Sequence, residues 1–97
     1  MNLLIIEAIK NRKALAFRYH GLNRVVEPHA YGRDKAGDEI IRSYQISGGS
    51  DSGESIGWKI FKVREALSIV LLNNDFFTIR IDYQKNDSIM TTIFEQI

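Results

Sequence analysis

The stretch that decides the fold is Ala14–Gly32, ALAFRYHGLNRVVEPHAYG. Leu15, Phe17 and Tyr19 alternate with Ala16, Arg18 and His20, the period of two that gives a strand one apolar and one polar face. Gly21-Leu22-Asn23 supplies turn chemistry, and Arg24–Tyr31 then resumes as a β-branched run. It carries the chain's one proline, Pro28, which donates no ladder hydrogen bond and so predicts an edge or bulged position where the strand bends.

Working outward, Leu4, Ile5, Ala8 and Ile9 recur at helical spacing, with Asn2 as N-cap and Lys10, Arg12 and Lys13 at the cationic end, so a helix is expected over residues 3–12. Beyond the charged loop Gly32–Asp38, further strands are expected at Glu39–Ile46, Trp58–Arg64 and Leu67–Leu72, within a region spanning 14–72. Ser47–Gly57, with four glycines and four serines, cannot bury apolar area and reads as a long loop of functional interest. In the 73–97 extension, Phe76–Tyr83 suits a further strand, Gln84–Ser88 a turn and Ile89–Ile97 a short helix. Phe76, Phe77, Ile79, Ile81, Ile93, Phe94 and Ile97 are too many apolar side chains to leave solvated, so the extension should pack on the strands or on a second subunit. Five strands with short connections predict a mainly β fold, a small barrel or sandwich flanked by two short helices.

The 97 residues fit one domain, 1–97, with a thin core that a homodimer would deepen. With no cysteine there are no disulfides, thiolate metal sites or cysteine nucleophiles, which fits a cytoplasmic protein. Leu3–Ile6 is too short for a signal segment, and no run is long and apolar enough for a membrane span. Residues 1–46 hold eight basic and five acidic groups, while residues 47–97 hold five and seven, so the front half is the one suited to an anion.

His20 and His29 sit on separate expected strands and would still need at least one more zinc ligand, from a carboxylate such as Glu27, so no metal site is assigned. Ser50, Asp51 and His29 are the one conceivable hydrolytic set, but a glycine-flanked serine in a loose loop is poorly preorganised, so no catalytic residue is assigned. The glycine-rich loop matches neither phosphate-loop nor dinucleotide pattern, although its backbone N–H groups, followed by Lys59 and Lys62, suit passive anion binding. The more informative set is polar, cationic and aromatic: Arg24, His29, Tyr31, Arg42, Tyr44, Gln45, Trp58 and Lys59. Arg24, Arg42 and Lys59 would meet charge, Tyr31, Tyr44 and Trp58 would stack on rings, and His29 and Gln45 would give directional hydrogen bonds. A guanidinium in a strand also needs a partner, for which Glu27 or Glu39 is available to Arg24 and Arg42.

The blocks AIKNRKALAFRYHG, RVVEPHAYG, IIRSYQISGGSDSG, GWKIFKV and YQKNDSIMTTIFEQI, in this order, resemble the small stand-alone members of the WYL-domain family. The family's Trp-Tyr-Leu falls at Glu39, Ile40 and Ile41, where only the leucine is conservatively replaced, whereas Arg24, Arg42, Tyr44, Lys59 and Phe61 match family positions. The resemblance implies a five-stranded Sm-like β-barrel and a non-enzymatic, cofactor-free regulatory role. It implies ligand sensing or nucleic-acid binding, usually beside a winged-helix DNA-binding domain in bacterial transcription regulators. No helix-turn-helix is legible here, so such a role needs a partner regulator carrying one. The expected ligand is single-stranded nucleic acid, a nucleotide or another small anion, and the alternative is a protein-interaction module without a small ligand.

Overall fold

Asn2 starts the one α-helix among the described residues in the way its side chain allows. Its Oδ1 accepts from the Leu4 and Ile5 N–H groups at 2.9 and 3.3 Å, satisfying two donors that have no partner inside the helix. A computed structural model describes residues 1–76 and 78–97, and in it α1 spans Leu3–Lys10 and buries Ile5, Ala8 and Ile9. The helix ends two residues before the expected boundary because Asn11 caps it and Arg12 turns left-handed, at φ 55°.

Six strands follow: β1 Lys13–Tyr19, β2 Leu22–Asp34, β3 Glu39–Gly48, β4 Gly57–Lys62, β5 Ala66–Asp75 and β6 Met90–Gln96. The β1–β2 hairpin pairs Tyr19 with Leu22, so its turn is His20-Gly21, one residue earlier than expected. Both residues have positive φ, 51° and 76°, giving the twist that the tightest hairpins need.

β2 organises the sheet. One edge pairs with β3 from Arg24 to Arg33, while the other pairs with β1 as far as Val26 and with β6 from Ala30 onward. Pro28 stands where one ladder has stopped and the next has not begun, and the register against β3 shifts between Pro28 and Ala30, leaving His29 as the extra residue of a bulge. The bulge expected at Pro28 is therefore present.

The sheet order is β4-β3-β2-β1-β5 with β6 on β2. It is antiparallel and mainly β, as expected, but it has six strands and does not close into a barrel. β4 and β5 share no ladder among the described residues, although only the 3-10 turn Val63–Glu65 joins them. At β4 the Lys62 N–H is taken by the Tyr19 hydroxyl at 3.0 Å, so a side chain stands in where a closing strand would pair.

The C-terminal segment also corrects the expectation: Ile89–Ile97 is not a helix, and Met90–Gln96 is β6. Ile89, Ile93 and Ile97 have helical spacing, but the β-branched Thr91, Thr92 and Ile93 find an edge of β2 left open by β1, and ladder pairing prevails. Gly32 permits this pairing, since a Cβ there would collide with the Thr92 carbonyl oxygen. Phe76 and Thr78–Ile89 are irregular rather than a strand. Phe77 lies outside the described residues. Phe76 is buried, and Ile93, Phe94 and Ile97 are partly so, but Ile79 and Ile81 are not absorbed into the core, Ile81 being 82% exposed.

The core gathers Ile5, Ile9, Leu15, Phe17, Val26, Tyr31, Ile41 and Phe61 between α1 and the curved sheet. Phe61 meets Phe17 and Tyr19 edge-on at centroid distances of 5.0 and 4.9 Å. A smaller cluster of Ala30, Ile40 and Met90 lies under β6. Ile40 and Ile41 are both buried because the two sides of β3 are both covered.

Candidate functional site

The irregular segment after Phe76 folds back over β2, β3 and β4, and an ion pair pins it. Arg80 donates Nε–H and NH2 to the two carboxylate oxygens of Glu27 at 2.7 and 3.1 Å. Glu27 is nearly buried, and this fork-to-fork pairing gives its charge a partner with fixed geometry. The Arg80 guanidinium also lies 4.5 Å from the centroid of the Tyr44 ring.

His29, the bulged residue, ties the same segment to β2 through its two ring nitrogens. Nε2 lies 3.3 Å from the Arg80 backbone N–H, so it accepts and carries no proton. Nδ1 therefore holds the proton and donates to the Glu27 carbonyl at 2.8 Å. This is a neutral imidazole, and burial, its largest influence, lowers its pKa accordingly. Around it stand Trp58, Tyr83 and Phe76, with ring centroids at 4.8, 5.2 and 5.4 Å.

These contacts shape a pocket of about 300 Å³ lined by Arg42, Trp58, Asp82, Tyr83, Gln84 and Asp87. Trp58 and Tyr83 lie nearly parallel, 23° apart with centroids at 6.1 Å. Both rings are held by their polar ends: Trp58 Nε1–H donates to the Ile81 carbonyl at 2.9 Å, and the Tyr83 hydroxyl donates to the Ile97 carbonyl at 3.1 Å. Arg42 Nε–H donates to Asp87 Oδ2 at 2.6 Å, and Asp87 Oδ1 accepts from the Ile89 N–H at 3.1 Å. Burial pushes the Asp87 carboxyl upward, but the Arg42 and Ile89 hydrogen bonds outweigh it and hold Asp87 below its ordinary value. The terminal NH2 groups of Arg42 make no hydrogen bond among the described residues, so four of its five donors are free for a ligand. The pocket thus offers flat apolar walls, guanidinium donors and carboxylate acceptors.

Of the eight residues singled out in the sequence, Arg42 and Trp58 line this pocket. His29 supports it from behind, and Tyr44 packs edge-on against Trp58 at 5.6 Å. Lys59 follows Trp58 on β4 and so points to the opposite side of the strand. Tyr31 is fully buried, its hydroxyl accepting from the Asn2 N–H at 2.7 Å and donating to Glu39, and burial followed by the Glu39 contact pushes its pKa up to about 12. Arg24 and Gln45 are buried together at the far end of the β2–β3 ladder.

The expected acidic partners are distributed differently. Glu27 belongs to Arg80, Glu39 to Tyr31, Arg33 and the N-terminus, Asp87 to Arg42, and the carboxylate nearest Arg24 is Asp51. Asp51 contacts His20 rather than His29, and the Ser50 hydroxyl bonds Ser52, so the Ser50–Asp51–His29 set does not assemble. Lys62 is paired with Asp38 at 3.3 Å. Arg80, Asp82, Tyr83, Gln84 and Asp87 escaped the sequence reading. A guanidinium amid the apolar run of the extension was the one local signal for Arg80, whose partner lies 53 residues away. Neither the family models, nor the curated proteins, nor the solved structures compared with this chain give a match.

Proposed function

We propose that this protein is a non-enzymatic regulatory binding module whose pocket holds a base of single-stranded nucleic acid or of a nucleotide. The observation that carries the reading is the meeting of two fixed parallel rings with a guanidinium and two carboxylates around one pocket of about 300 Å³. A base stacked on the exposed ring surface would receive hydrogen bonds from Arg42 at its carbonyl or ring nitrogen and give its amino hydrogens to Asp82 or Asp87. With two carboxylates to one guanidinium, the pocket itself favours the base over the phosphate. The WYL-like motifs support the same class of role, that of a cytoplasmic module sensing a ligand for a partner regulator with its own DNA-binding domain.

Trp58 is the chain's one tryptophan, so its emission reports the pocket directly. Titration with mononucleotides, alongside anisotropy of labelled single-stranded DNA and RNA over a salt series, should show saturable binding. Trp58→Ala should weaken it by about 1–3 kcal/mol, the usual contribution of a stacked base. An affinity that Arg42→Ala leaves unchanged defeats the assignment.

A second reading, a protein-interaction module, is favoured by Leu67 and Val70, 59% and 52% exposed on the edge strand β5.

A further inference from the structure

At the other end of the β2–β3 ladder is a charge that the protein compensates poorly. The Arg24 side chain is 3% exposed. Its guanidinium lies 5.5 and 5.7 Å from the Tyr19 and Phe61 ring centroids, its NH2 groups donate to the Tyr19 carbonyl at 3.1 Å and to Gln45 Oε1 at 3.4 Å, and its buried Nε has no partner. Both acceptors are neutral. The nearest carboxylate oxygen is Asp51 Oδ2, at 3.8 Å from NH2, on a side chain 59% exposed. A buried guanidinium ordinarily has an anion in close hydrogen-bonded contact, because its desolvation is otherwise uncompensated.

The same Oδ2 atom contacts His20 Nδ1 at 2.5 Å, so a single oxygen is shared by two cationic groups. His20 Nε2 meets Glu65 Oε1 at 2.5 Å, and an imidazole that donates to two carboxylates must carry both protons. Asp51 sits in the Gly/Ser loop, which Gln45 anchors by donating Nε2–H to the Gly49 carbonyl at 2.8 Å. After Gly49, Gly53 and Gly57 hold φ of 82° and 134°, so the segment that carries Asp51 has glycine hinges.

We propose that Arg24 and His20 form an oxyanion site for a phosphate group and that the Asp51 carboxylate occupies it as an internal stand-in, leaving with its loop when phosphate enters. A phosphate oxygen at the Oδ2 position would accept from His20 Nδ1, and a second oxygen of the same group, seated deeper than Oδ2, would come within hydrogen-bond reach of the Arg24 guanidinium, while Glu65 keeps the imidazole charged. Two cations facing Glu65 and a displaced Asp51 leave a net positive site, which suits an anion of higher charge than a carboxylate. The site is separate from the Trp58 pocket: Arg42 and Gly48, which pairs with Arg24, are six residues apart on β3, roughly 20 Å at the rise of an extended strand. The proposal is thus independent of the base-binding reading.

The test is titration of the full chain with inorganic phosphate, followed by amide NMR shifts, for the wild type, Asp51→Asn, Arg24→Gln and His20→Gln. Asp51→Asn should bind about tenfold more tightly, as removing a competing closed state that held about nine-tenths of the molecules would give. Its shifts should fall on residues 20–24 and 49–53. His20→Gln, at an exposed turn position, should lose binding, as should Arg24→Gln, with the dispersion of the same amide spectrum showing that each variant is folded. Asp51→Asn binding phosphate no more tightly than the wild type overturns the proposal, as do shifts scattered over surface lysines. Acetate binding as tightly as phosphate overturns the assignment to phosphate.

Discussion

The pKa values of His20 and His29 are shifted in opposite directions for reasons visible in their surroundings. The hydrogen bond to Glu65, then that to Asp51, raises His20 above its ordinary value of 6.5, whereas burial lowers His29 below the same value. The sign of each contribution to stability follows. The His20 contribution is fully present below pH 6.5 and is lost as pH rises through its raised folded-state value. For His29 the unfolded chain takes up a proton that the folded protein refuses, so stability declines as pH falls below 6.5. An NMR titration of the two imidazole Cε1–H signals should show His20 above and His29 below 6.5, with Glu65→Gln moving the first and not the second. A His20 midpoint unmoved by that substitution would show that the clamp does not form in solution.

Among the elements, β2 decides the architecture because it serves three neighbours with two edges. The proline and the bulge at His29 divide its outer edge, giving one half to β1 and the other to β6. That division also brings His29 under the Arg80 segment and so makes the pocket wall. Gly32 is the point of closest approach to β6. Gly32→Val should therefore push β6 from its register and cost about 1–3 kcal/mol, the range of other overpacked sites. Chemical denaturation measures this, and a variant as stable as the wild type would mean that β6 contributes little to the sheet. The element most misread from the sequence is β6 itself, because Ile89, Ile93 and Ile97 fit a helix in isolation and only a vacant edge 56 to 66 residues earlier makes Met90–Gln96 a strand.

On the scale of the whole molecule, β4, β5 and β6 each pair on one side only among the described residues. β4 is short and engaged by Tyr19, but β5 presents Leu67 and Val70 to solvent along a ten-residue edge. Self-association through that edge would cover them and supply the homodimer suggested by the small core. Sedimentation of Leu67→Lys against the wild type tests this: a dimer should fall to monomer, and a wild-type chain already monomeric at high concentration removes the dimer from consideration. Truncation of residues 84–97 is a poor substitute, because it deletes β6 together with Gln84 and Asp87 of the pocket.

The capped first helix, the β1–β2 hairpin, the bulge at Pro28, the approximate strands β3 to β5 and the Gly/Ser loop were legible in the sequence, since each rests on periodicity, a cap or a turn residue acting over a few positions. The sequence also singled out Arg42 and Trp58, because a cation and a large ring on neighbouring strands are conspicuous locally. That the sheet stays open, that the last segment is a strand, that Tyr31, His29 and Gln45 are buried, and that Glu27 meets Arg80 emerge from long-range packing. Those outcomes depend on which edges and charges remain unpartnered once distant parts of the chain have packed, a competition that local propensity does not encode.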